Sequence, residues 1–202
     1  LAPFLRYMEA QMPQYRENAR RLYGCRGIHV PSRASSHGLN NHFDATWPMT
    51  FWTAGAAWAA RFFYDRYLHD GDRDFLRDRA LPFMKEAALF YEDFLVEGPD
   101  GKLVFIPSYS PENNPRNEPS QACVDATMDV AAARELLQSC VAACETLGTD
   151  AESVERWKGM LSRLPAYRIN ADGAVAEWVA PSLEDNYEHR HCSHLYPLFD
   201  GL

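Results

Sequence analysis

The chain has 202 residues, 47% of them hydrophobic and 13% aromatic, with a formal net charge of −8 and a pI near 5.3. That is enough apolar material for one substantial core and excludes a disordered chain. The acidic balance speaks against a nucleic-acid groove or an anionic membrane surface, which need clustered Lys and Arg, and no apolar run approaches the ~20 residues of a bilayer span. A neutral, polyhydroxylated partner is the easier fit.

Across 4–23 the residues Phe4, Leu5, Met8, Met12, Tyr15, Ala19, Leu22 and Tyr23 recur at helical spacing, with Gly24 as a stop. The spacing predicts one helix bent at Pro13. Residues 25–46 lack a sustained period and are rich in Ser, Asn, His and Gly; a loop of about twenty residues inside a compact domain is usually functional. Trp47-Pro48-Met49 reads as the opening of the next helix, with Pro suited to its first turn. The run from there through Tyr67 is apolar nearly all round, which predicts a buried helix stopped by Asp70-Gly71. A short helix over 73–80 leads to another from Pro82, whose Phe83, Ala87, Phe90, Tyr91 and Phe94 form one stripe.

Residues 103–106 read as a short strand, and Pro and Asn punctuate a second long loop over 107–119. A strong helix follows over 125–147. Thr149 and Glu152 form a capping box for a last one ending near Leu164, and 167–178 alternate around Asp172-Gly173 as a small hairpin. The third loop, 179–194, is the most polar and carries His189, His191 and His194. The fold class expected is all-α, and helical hairpins with elaborate loops suggest an α/α toroid: part of an (α/α)6 barrel, a six-hairpin toroid, with long loops and short β-hairpins. About six helices are visible, half of what a closed toroid needs. The chain also starts at Leu1 without Met, so 1–202 is expected to be a single partial domain, partnered by the remainder of the same domain.

Three constellations can carry chemistry. In Pro107-Ser108-Tyr109-Ser110-Pro111-Glu112-Asn113-Asn114-Pro115 a carboxylate stands between prolines beside Ser and Asn, with no adjacent Lys or Arg to hold it ionised. Such surroundings can raise a Glu toward the working range of a general acid, although a solvated turn has the same local sequence. In His189-Arg190-His191-Cys192-Ser193-His194 the spacing disfavours zinc, leaving sugar-hydroxyl recognition by His and Arg donors or a structural histidine cluster. The third is a supply of aromatic rings near the loops. Trp52 and Trp58 fit a core, whereas Trp47 and Trp178, at element ends, are better placed to pack on a sugar face. The cysteines Cys25, Cys123, Cys140, Cys144 and Cys192 lack zinc spacing and read as buried free thiols. A Gly-rich phosphate loop and a Gly-x-Ser-x-Gly elbow are both missing from the sequence.

Taken in order, these pieces resemble glycoside hydrolase family 95, the 1,2-α-L-fucosidases and related α-L-galactosidases. Tyr23-Gly24-Cys25-Arg26-Gly27, Trp47-Pro48-Met49 and Asp70-Gly71-Asp72 are similar to family motifs. So are Thr127-Met128-Asp129, Glu177-Trp178 and the stretch from His189 to Tyr196. Most specific is Pro107-Ser108-Tyr109-Ser110-Pro111-Glu112-Asn113, which resembles the family loop whose Glu is the catalytic acid.

The resemblance covers nearly the whole chain. It implies an inverting hydrolase with Glu112 as general acid and with Arg190, His189, His191, Asn113, Trp47 and Trp178 as candidate sugar contacts. No metal or organic cofactor is implied. Ile28-His29-Val30-Pro31-Ser32-Arg33 departs from the family's His-His-Asn-Thr-Asp stretch, which leaves the exact sugar open. The water-orienting Asn-x-Asn pair and the general-base Asp are expected before Leu1 and beyond Leu202, so these residues alone are not expected to catalyse. Rival readings are a phosphorylase or trehalase-like barrel enzyme, or a non-catalytic helical sugar-binding scaffold with Glu112 as an exposed turn residue.

Overall fold

A computed structural model describes residues 1–199 of the chain. Helices α1 (Ala2–Ala10) and α2 (Met12–Tyr23) are separate. The break falls at Gln11, and Pro13 sits in the first turn of α2, where a missing N–H costs nothing; the predicted bend is an interruption. After α2 stops at Gly24, Gly27 takes φ 70° against the helix that carries Glu86 and Phe90, where a Cβ would overlap the Glu86 carbonyl and the Phe90 nitrogen. The Ile28 N–H donates to the same Glu86 carbonyl at 3.1 Å, fixing this turn directly on the helix.

Pro48 does not open the long helix. Met49–Phe51 is a single 3-10 turn, Trp52 is extended, and α3 runs Gly55–Asp70. The reason is tertiary: the Trp52 ring is buried, and its carbonyl lies 3.2 Å from His29 Nε2 instead of entering a helical ladder. Burial holds His29 itself down at about 4, a neutral core histidine. The all-round burial predicted for α3 holds for Gly55, Ala56, Ala57, Ala59, Ala60 and Phe63, but Trp58, expected in the core, is exposed, and so is the last turn. Helices α4 (Arg73–Phe75) and α5 (Leu81–Phe94) are joined without interruption by a π-helical turn, Leu76–Ala80, so the two predicted helices merge. The wide turn lies immediately before Pro82, which has no N–H for a regular ladder.

Helix α6 (Thr127–Leu147) is the spine, packed against α3, α5 and α7 (Ala151–Arg163). Ala131, Ala132, Ala133, Leu136, Leu137, Ala143 and the free thiols of Cys140 and Cys144 fill its contacts. Cys192, in contrast, is exposed. The predicted capping box at α7 is absent: Asp150 holds the N-cap position at φ 54°, its carboxylate pairs with Lys85 of α5, and Glu152 reaches Arg156.

Short strands then pin the loops. β1 (Val96–Glu97) pairs with β2 (Leu103–Val104), and β3 (Ser108–Tyr109) pairs with β4 (Ala122–Cys123), both antiparallel. The predicted hairpin closes through a bridge between Ile169 and Val175, and a second bridge joins Ala126 to Trp178. The loop of residues 107–123 and the loop after Trp178 are thereby both anchored at the start of α6.

Candidate active site

Asp129, in the first turn of α6, is fully buried and holds the base of the second loop. Its Oδ2 accepts from Ser108 Oγ at 2.6 Å and from the Tyr109 N–H at 3.2 Å, while Ser108 Oγ accepts from the Ala126 N–H at 3.0 Å. Burial pushes Asp129 up to about 7, against the pull of these donors, Thr53 and the Ala54 N–H.

Beyond β3 the chain makes a tight turn in which the Asn113 N–H donates to the Ser110 carbonyl at 2.7 Å, with Pro111 and Glu112 at its tip and a cis bond between them. A second buried carboxylate spans the turn. Glu177 Oε1 accepts from Ser110 Oγ and Oε2 from Asn113 Nδ2, each at 2.7 Å. Glu177 is 4% exposed, and burial pushes it up to about 7 against these two hydrogen bonds. Its own N–H donates to Asp185 Oδ1 at 2.8 Å, and its carbonyl accepts from the Thr127 N–H at 3.0 Å.

The third loop meets this turn from its open side. The Glu112 N–H donates to His191 Nδ1 at 3.2 Å, Ser193 Oγ donates to the Pro111 carbonyl, and Arg190 Nη2 stands 3.4 Å from Glu112 Oε2. An accepting Nδ1 places the His191 proton on Nε2, a donor suited to a hydroxyl. His189 stacks edge-on against His191 at 4.9 Å and accepts its N–H at 3.1 Å. Burial, His191 and Arg190 press the His189 pKa down. No arginine or lysine is adjacent to Glu112 in the sequence; the fold supplies Arg190 from 78 residues away. Because Arg190 is 69% exposed and the contact is long, such a pair contributes about 0–1 kcal/mol and can be exchanged for another partner.

Trp47 reaches the same end of the helices. Its indole lies against the Tyr109 hydroxyl, which donates to Gln121 Oε1 at 3.1 Å, and Gln121 Nε2 donates to the Glu112 carbonyl at 2.8 Å. Beside it opens an apolar hollow of about 380 Å³ walled by Phe43, Pro48, Phe51 and Ala122. A larger one, about 630 Å³ between α5 and α7, shares no residue with the second or third loop; Arg26, Lys85, Glu86 and Arg156 on its walls are already in ion pairs.

Glu112 of the second loop, His189, Arg190 and His191 of the third, and Trp47 at the end of the first therefore converge. Two predicted sugar contacts do not join them. Trp178 is fully buried with Cys123 and Ala126, so its ring has no face to offer a sugar. Asn113 is 1% exposed, and its amide is committed to Glu177 Oε2, the Asn186 carbonyl at 2.9 Å and the Asn114 N–H at 2.9 Å. It holds the turn instead of presenting to a ligand. The residues not foreseen in these roles are Asp129, Glu177, Gln121 and Ser193. Asp129 stands out as an acidic residue between Met128 and Val130, and Glu177 and Ser193 lie in family-like motifs, but the partners that give them these roles lie in other elements. Among the described residues, no group of three His, Cys, Asp or Glu is placed to hold a metal ion.

A solved structure described as "Putative kojibiose phosphorylase from human microbiome" superposes with a TM-score of 0.62 over 83% of this chain and 23% of its own. At 12% identity the likeness is one of fold, and it places the chain in the α/α-toroid class. Sequence narrows this further. The model of the glycosyl hydrolase family 95 catalytic domain matches residues 1–202, and the chain belongs to that family. Alpha-L-fucosidase 2 of Arabidopsis thaliana is 31% identical over 98% of the chain and 24% of its own length. "Probable alpha-fucosidase A" of Aspergillus niger is 29% identical over 98% and 26%. The chain thus spans about a quarter of the length of the curated relatives it matches.

Proposed function

We propose that this chain carries the general-acid half of an inverting glycoside hydrolase acting on α-L-fucosyl or related L-sugar linkages. The observation that carries the reading is the placement of Glu112 at the tip of a turn held from one side by buried carboxylates and met on the other by Arg190 and His191. Family membership and the names of both relatives point to the same chemistry. In inversion one carboxylic acid protonates the leaving oxygen while a carboxylate about 6.5–9.5 Å away activates water on the opposite face. Glu112 supplies the proton; the base comes from the remainder of the catalytic domain. Arg190, with its long and exposed contact, and His191, through Nε2–H, bind sugar hydroxyls, and Trp47 packs against the sugar or its aglycone.

The test uses the full-length protein. Glu112→Gln keeps size and shape but removes the transferable proton, so kcat on an oligosaccharide with a poor leaving group should fall about 10²–10⁴-fold. On a glycosyl fluoride, which departs with little protonation, the loss should be far smaller. An equal loss on both would make Glu112 a binding or structural residue.

A further inference from the structure

The turn that presents Glu112 is only four residues long, and its backbone closes with one hydrogen bond, from the Asn113 N–H to the Ser110 carbonyl. What holds the two corners together otherwise is a single side chain from another part of the sequence. Glu177 comes from the hairpin after α7, 65 residues beyond Glu112 by number, and its two oxygens each take one corner: Ser110 Oγ at 2.7 Å and Asn113 Nδ2 at 2.7 Å. The carboxylate cannot swing away, because its backbone N–H is tied to Asp185 and its carbonyl to the start of α6. Asp185 is in turn held by Asn170 at 2.7 Å and faced by Arg168 at 3.7 Å. His194 Nδ1 stands 3.9 Å from Glu177 Oε2, beyond hydrogen-bond reach.

From this geometry we infer that Glu177 is the positioning residue of the general acid: a two-pronged staple that sets the direction of the Glu112 side chain without touching substrate. The inference rests on the reading of Glu112 as the acid.

The chemistry of the two prongs explains why a carboxyl group suits the place. Asn113 Nδ2 can only donate, so Oε2 must accept. Ser110 is a hydroxyl and can donate or accept. The staple therefore survives protonation of Glu177, because a protonated Oε1 donates to Ser110 Oγ while Oε2 still accepts from Asn113. Glutamine can do the same with Nε2 toward Ser110 and its carbonyl toward Asn113. Alanine can do neither, and it leaves the Asn113 amide short of one buried acceptor. Loss of the staple lets the tip shift, and a shift of about 1 Å at a reacting group can cost about 10²-fold in rate.

The experiment compares Glu177→Gln, Glu177→Ala and Ser110→Ala in the full-length protein, each on a poor-leaving-group glycoside and on the corresponding glycosyl fluoride, with Glu112→Gln run alongside. A misplaced acid penalises only the substrate that needs the proton, whereas lost folding lowers both alike. Glu177→Ala should lose about 10²-fold in kcat on the poor leaving group and under about tenfold on the fluoride, at little change in KM. Glu177→Gln should restore most of that loss. Ser110→Ala, which removes one prong and keeps the fold should Glu177→Ala fail to fold, should show a smaller loss of the same selective kind. Equal losses on both substrates, or a glutamine variant no better than alanine, would overturn the staple. If Glu112→Gln itself shows no selectivity, the reading of Glu112 fails first.

Discussion

On one side of the Pro111–Glu112 peptide, Ser110 and Asn113 meet Glu177 at 2.7 Å each, with that carboxylate 4% exposed. On the other, Arg190 meets Glu112 at 3.4 Å with its side chain 69% exposed. The buried side spends its donors and acceptors within the protein, so its polar groups are costly to disturb and set geometry. The open side keeps long, exchangeable contacts and donors with room to take up hydroxyls. On the proposed reading a general acid is held still while sugars enter and leave, which needs both sides, and they come from different parts of the chain.

The comparison breaks most visibly at the two tryptophans. Trp178→Ala removes a fully buried indole and should cost about 3–5 kcal/mol of stability, read as a fall in the denaturant midpoint. Trp47→Ala, at a ring 37% exposed, should cost about 1 kcal/mol or less while raising KM. Equal destabilisation would mean that Trp47 is core.

The buried side also has a pH signature. Asp129 rises from its ordinary 3.8 to about 7 on burial, so the folded state binds the extra proton between those values. Its contribution to stability is fully present below about 4 and is lost as pH rises through about 7; Glu177 acts in the same direction. Asp129→Asn keeps an acceptor for Ser108 and Tyr109 and cannot ionise. Unfolding midpoints measured from pH 4 to 8 should then depend less steeply on pH than in the wild type, and an unchanged slope would remove Asp129 from the account.

The open side should show the smallest effect. Arg190→Ala should raise KM about tenfold for all substrates at nearly constant kcat, because a grip on hydroxyls in ground and transition state alike is uniform binding. A selective fall in kcat on poor leaving groups would instead place Arg190 in proton transfer.

Much of this arrangement was legible in the sequence where local chemistry decides it. Gly24 and Gly71 mark the ends of α2 and α3, and the Ser-Pro-Glu-Asn loop and the histidine loop stand out by composition alone. What stayed hidden was set by partners distant in sequence. Trp47 and Trp178 both sit at element ends, and only the packing of Cys123 and Ala126 over one of them makes it core. Trp52 lost its place in a helix to His29, 23 residues away. Glu177 was visible as a motif residue, but its role depends on Ser110 and Asn113, which lie 67 and 64 residues from it.

The central claim, that Glu112 gives the proton to the leaving group, is tested most directly by plotting log kcat/KM against leaving-group pKa for a series of aryl glycosides of the accepted sugar. With the full-length wild type the slope should be shallow, since protonation offsets a poor leaving group. With Glu112→Gln it should steepen, the two lines converging at the most acidic phenols. Parallel lines, with the variant displaced by a constant factor, would contradict the account.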